Sequence, residues 1–121
     1  MDFTFTEDQL LFQDSVRDFL VNEITPERIR ASWESESGRD SALWSQLAEL
    51  GLTGMTVPEA YGGLGMSELD FVLLAQECGY VALPEPLVNS ALVAVPLLVD
   101  IGGELADQWL PKVATGEAKV V

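Results

Sequence analysis

Carboxylates are the groups from which this chain could build a reactive site, since it has 20 Asp and Glu, one cysteine and no histidine. Without histidine there is no Ser-His-Asp or Cys-His relay and no imidazole ligand for a metal. A carboxylate pair for acid-base work, or a hard-cation site, needs acids gathered at a fixed spacing. Here they are spread along the chain in the manner of solvated faces. Cys78 shares a helical face with Leu74 and Val81, the pattern of a buried structural thiol rather than a nucleophile. Gly62, Gly63 and Gly65 form a cluster in which a phosphate could nest, but their spacing matches neither GxxxxGK[ST] nor GxGxxG and no lysine lies nearby. The cluster reads as a structural turn.

Charge excludes one class of partner. With 6 basic residues against 20 acidic ones the formal charge is −14, and no Lys or Arg occurs from Asp40 through Pro111. Nucleic-acid binding requires several cations to displace phosphate counterions, so no nucleic-acid partner is expected. The same stretch repels the phosphates of any nucleotide ligand. Hydrophobic residues make up 48% of the 121, enough for the core of one domain. The longest apolar run, Ala91 to Val99, is too short to cross a bilayer, and Asp2, Glu7 and Asp8 stand where a signal peptide would be basic. The expectation is a soluble, cytoplasmic protein with no membrane partner. A single cysteine is consistent with a reducing compartment.

The elements that must position these groups are helices. Thr6 and Gln9 make a capping-box pattern, starting a helix at Glu7 whose apolar face carries Phe12, Val16, Phe19 and Leu20. Thr25-Pro26 restarts a helix that runs to about Trp33, and ESESGRDS follows as a polar loop. A third helix covers about Ala42 to Leu50, with Gly51 placed for a left-handed stop and Leu52 for folding back on the last turn. Ser67 caps a fourth helix, which Gly79 ends. Beyond Pro84 and Pro86, Val88 to Ile101 reads as an almost wholly apolar helix, buried on most sides and kinked or restarted at Pro96. Gly102 and Gly103 separate it from a last helix holding Leu105, Trp109, Leu110 and Val113, and Ala118 to Val121 could begin a strand. The fold class is therefore all-α, an up-and-down bundle of five or six helices. At least one of Gly62 and Gly63 is expected at positive φ, so that valine there costs more than about 1 kcal/mol.

The stretch from Leu43 to Met66, with Gly51, Gly54 and Val57-Pro58-Glu59-Ala60-Tyr61-Gly62-Gly63-Leu64-Gly65, closely resembles the amino-terminal helical domain of the acyl-CoA dehydrogenases. Val16-Arg17-Asp18-Phe19-Leu20 with Glu23-Ile24-Thr25-Pro26 is similar to the family's first helix. Trp109-Leu110-Pro111-Lys112-Val113-Ala114-Thr115-Gly116-Glu117 is similar to its closing segment. The resemblance implies that residues 1–117 are that domain and that 118–121 start a β domain. It also implies a parent oxidoreductase of lipid metabolism that uses FAD and dehydrogenates an acyl-CoA thioester at its α and β carbons. A base takes the α proton and the flavin takes the β hydrogen as hydride.

In the family the base and most of the flavin site belong to later domains. The resemblance therefore places no catalytic, cofactor-binding or metal residue here, and the chain alone is expected to be inactive. Counted back from Leu110-Pro111, the residues Pro84, Glu85, Val88 and Leu92 fall near the acyl end of the substrate cavity, a role that stands level with plain core packing. Leu83-Pro84-Glu85-Pro86 is similar to bacterial members acting on bulky or steroid-derived acyl-CoAs. The implied partners are acyl-CoA through the complete enzyme, electron-transfer flavoprotein, and further subunits of a homo- or hetero-oligomer. Related flavoprotein oxidases and monooxygenases share the architecture, and a stand-alone helical interaction module is a third reading.

Overall fold

The first four α-helices each begin where a side chain can satisfy a free N–H group of the first turn. Thr6 Oγ1 accepts from the Gln9 N–H at 3.2 Å while Gln9 Oε1 accepts from the Thr6 N–H at 2.9 Å, closing a capping box on α1 (Glu7–Glu23). Thr25 caps α2 (Pro26–Glu34), which has Pro26 in its first turn, and Asp40 caps α3 (Ser41–Glu49). A second capping box, Ser67 with Asp70, opens α4 (Glu68–Tyr80). The computed structural model describes residues 3–121, and among these it shows helices and connecting turns and no strand. After α4 a continuous helical rod runs as α5 (Leu87–Asn89), a π turn (Ser90–Ala94) and α6 (Val95–Ile101), followed by α7 (Gly103–Ala114). The all-α class is as expected. Residues 118–121 form no strand.

Two of the expected features differ. Gly79 does not end α4: the helix continues to Tyr80, and Ala82 takes the left-handed position at φ 52°. There the Ala82 N–H bonds to Gly79 O and the Leu83 N–H reaches back to Cys78 O at 3.0 Å, which returns Leu83 to the core. The rod at 87–101 is not buried on most sides either. Leu87, Ala91, Ala94 and Val95 are buried, whereas Val93, Leu97 and Ile101, spaced four apart, are more than half exposed.

The connection from Leu50 to Ser67 is part of the core. Gly51 at φ 79° stops α3, with the Gly51 N–H on Ala48 O and the Leu52 N–H on Leu47 O. Leu52, Thr53, Gly54, Met55 and Val57 are then buried. Leu52 and Met55 join a main cluster with Val16, Leu20, Leu43, Leu47, Phe71 and Leu74, and Val57 joins a second with Val95, Ala106, Leu110 and Val113. α1 and α4 lie side by side and run in the same direction, since Gln9 bonds Asp70 while Gln13 bonds Glu77.

The two central loop glycines serve different needs. Gly62 sits at φ 88° with open space around it, while Gly63 needs no left-handed backbone but lies so close to Val57 that a Cβ would run into its carbonyl oxygen and side chain. Chemical denaturation should therefore rank them. Gly62→Ala should cost about 1 kcal/mol through backbone strain, and Gly63→Ala at least about 2 kcal/mol through overlap with the fixed Val57 backbone. In the opposite direction, Ala82→Gly should raise stability by about 0.5 to 1 kcal/mol, because relief of the left-handed strain exceeds the added freedom of the unfolded chain.

Candidate functional site

The site is built on the end of α4, the turn after it and the rod that follows. α4 is held in place from α1. Glu77, buried in the interface, receives Arg17 through Nε at 2.9 Å and through a second nitrogen at 2.8 Å, and Gln13 Nε2 at 2.8 Å. This bidentate, charge-assisted bonding holds the Glu77 carboxyl below the usual range, against the opposing effect of burial. Arg17 is raised in turn by the same Glu77.

Ala75, Cys78 and Gly79 at the end of α4, with Ala82, Leu83, Glu85, Pro86, Val88 and Asn89 beyond it, line an open groove of about 350 Å³. Gly79 matters here for what it omits, since a Cβ at that position would meet nothing within 4 Å. Of the four residues anticipated for the acyl end, Glu85 and Val88 come together in this groove, while Pro84 and Leu92 are not part of its lining. Leu92 and Val88 are half-buried against the main core. Glu85 is fully occupied: its side chain is 0% exposed, one oxygen accepts from the Asp40 N–H at 2.7 Å and the other from Lys119 Nζ at 2.9 Å.

One turn along the rod the helix widens. The Val95 N–H bonds to Ser90 O, five residues back, instead of to Ala91 O. The displaced Ala91 carbonyl accepts from Thr56 Oγ1 at 2.8 Å. Ser90 Oγ, by contrast, is buried with no hydrogen-bond partner, as is Ser32 Oγ on α2. Sequence reasoning missed Ser90, Ala82 and Asn89. A usable signal for Ser90 was its place ahead of Pro96, whose missing N–H makes the preceding turn the weak point of the helix.

Neither metal nor phosphate chemistry finds a home among the described residues. No group of three or more His, Cys, Asp or Glu gathers there, and Cys78 is an inert thiol pushed up to about 12 by burial. The glycine turn has no N–H groups to offer: Gly62, Gly63, Leu64, Gly65 and Met66 all donate within the loop, to Glu59, Pro58, Gly54, Val57 and Met55. With no Lys or Arg from 40 through 111 as well, these residues do not fit the pyrophosphate of a dinucleotide. No described helix is long and apolar enough to cross a membrane.

Residues 6–117 match the family model of the acyl-CoA dehydrogenase N-terminal domain. The chain belongs to that family. Among curated relatives it is 33% identical over 94 residues to acyl-CoA dehydrogenase IpdE2 of Mycolicibacterium smegmatis, covering 77% of this chain and 30% of the relative. It is 32% identical over 117 residues to mitochondrial isovaleryl-CoA dehydrogenase of Arabidopsis thaliana, covering 93% and 28%. Among solved structures, a variant of the Tcur3481-Tcur3483 steroid ACAD superposes with a TM-score of 0.78 at 34% identity, over 91% of this chain and 30% of that one. The ChsE4-ChsE5 complex from Mycobacterium tuberculosis gives 0.77 at 25% identity, over 98% and 30%. The chain thus spans about a third of the length of these relatives.

In this acyl-CoA dehydrogenase N-terminal domain, three bonded carboxylates shape the response to acid. Glu77, Asp40 and Asp70 are all held below their ordinary values, by Arg17, Arg28 and Gln9 respectively as the leading cause. Each titrates lower in the folded than in the unfolded state, so its contribution is complete above about pH 4.3 and fades as pH falls through the depressed value. Urea midpoints taken between neutral pH and about pH 3 should therefore drop on the acid side. Glu77→Gln should start from a lower midpoint and show a shallower decline, and a decline as steep as that of the parent would remove Glu77 from the account.

Proposed function

We propose that this chain is the amino-terminal part of a flavin-dependent acyl-CoA dehydrogenase that introduces an α,β double bond into a bulky, steroid-type acyl-CoA thioester. The family match over residues 6–117 carries this reading. The substrate class is supported by the likeness to a steroid ACAD and by the Leu83-Pro84-Glu85-Pro86 segment. In this proposal the chain supplies one wall of the acyl cavity, with Val88 on the substrate side and the buried Glu85 holding the turn beside it, while Pro84 and Leu92 support that wall from outside the groove lining. The small side chains of Ala75, Gly79 and Ala82 leave the room that a fused-ring acyl group requires.

FAD is proposed for the complete enzyme only, held by residues outside this chain, where it would serve as hydride acceptor. Residues 118–121 would lead into the β domain that completes the site. A hetero-oligomer is the proposed assembly, supported by the likeness to the ChsE4-ChsE5 complex. Electron-transfer flavoprotein is the proposed acceptor, and the cytoplasm the proposed location.

The deciding assay supplies the complete enzyme with steroid-type and straight-chain acyl-CoA thioesters and an artificial electron acceptor. Enoyl-CoA formation with preference for the bulky thioester is the expected outcome. Peroxide release in place of acceptor reduction would make the protein an oxidase, and absence of any turnover would leave a helical interaction module. The purified 121-residue chain should be colourless and give no heat on titration with flavin adenine dinucleotide; a stoichiometric yellow protein would contradict the division of labour proposed here.

A further inference from the structure

The segment after α7 is fastened to the domain by an unusual concentration of contacts. Trp44 Nε1 donates to Gly116 O at 2.9 Å, and Lys119 Nζ stands over the Trp44 ring at 5.0 Å while bonding the buried Glu85 carboxylate. Gly116 packs so closely on α3 that a Cβ there would collide with the Ala48 methyl. Glu85 is the point where three distant segments meet. Its oxygens hold Asp40, the cap of α3, and Lys119 of the tail, and its own backbone belongs to the turn that forms the groove lip with Pro86 and Val88.

A carboxylate with no exposed surface tolerates little displacement, because moving it away from either partner leaves a buried charge unpaired. Its position is therefore fixed jointly by the α3 cap and by the tail. We propose that Glu85 is a positioning residue through which the tail sets the width of the α4–α5 groove, so that the segment leaving the domain at Lys119 and the wall facing the ligand move as one. The consequence for specificity rests on the acyl-cavity reading given above. The coupling itself does not.

The two ideas can be separated with the 121-residue chain and no ligand. Amide resonances are compared for the parent, Lys119→Met, Glu85→Gln and the double variant, with Lys119→Arg as the control that keeps the cation. Lys119 does not line the groove, yet Lys119→Met should shift the amides of Ala82, Val88 and Asn89 by more than a linewidth, and Lys119→Arg should restore most of the change. In the Glu85→Gln background Lys119→Met should add nothing at those amides, since its influence passes through the missing carboxylate. Shifts confined to Trp44, Ala48 and Gly116, or effects of the two substitutions that simply add at the groove, would overturn the proposal. Should the complete enzyme prove inactive on acyl-CoA while these shifts appear, the substrate reading fails and the coupling stands.

Discussion

A buried backbone that is not helical must still pair its polar groups, and the stretch from Leu52 to Val57 is both buried and irregular. The rest of the domain is arranged around that requirement. Gly54 O accepts from Val57 and Leu64, Met55 O from Met66, and Val57 O from Gly65, so the loop closes on itself in place of a sheet. Its side chains then repair other elements. Thr53 Oγ1 bonds Ala114 O at the end of α7, and Thr56 Oγ1 bonds the carbonyl freed by the π turn. Because Leu52 and Met55 belong to one apolar cluster and Val57 to the other, the loop is also the seam along which the two clusters are joined.

The helix starts were legible because their causes are local. Thr6, Thr25 and Ser67 each lie three residues from the N–H they accept, a spacing visible in any sequence. The α4 stop was not, since it depends on Ala82 adopting a backbone that alanine seldom takes, driven by the return of Leu83 to the core. Pro96 announced a disturbed rod, but its remedy lies in Thr56, 35 residues from Ala91. The same distance problem hid the surroundings of Glu85, whose partners are 45 and 34 residues away. Family resemblance put Pro84, Glu85, Val88 and Leu92 near the acyl end, and only the folded chain shows that Glu85 and Val88 share a groove and that Glu85 is bonded on both oxygens.

Scarcity of cations shapes the electrostatics. Arg17 serves Glu77, Arg28 joins Glu23 and Asp40, and Lys119 serves Glu85. Half of the 6 basic residues are thus spent on internal acids, where desolvation makes a missing partner costly. The surface keeps the excess negative charge. The exposed Val93, Leu97 and Ile101 stripe lies in a stretch of sequence that carries Asp100, Glu104 and Asp107 and no Lys or Arg before Lys112.

The tight glycines also limit how such a sequence can drift. At Gly54 the atoms that block a side chain are the backbone of Ala114, and at Gly63 they include the carbonyl of Val57, so no substitution of a neighbour can make room. Gly116 is different, because the nearest obstacle is the Ala48 methyl. A lineage that replaced Ala48 by glycine would clear that overlap, yet alanine at 116 would still carry the strain of a backbone at φ 79°. Descendants of this chain would be expected to keep all three glycines, Gly54 and Gly63 because fixed backbone fills the space and Gly116 because its left-handed backbone outlasts any change at position 48.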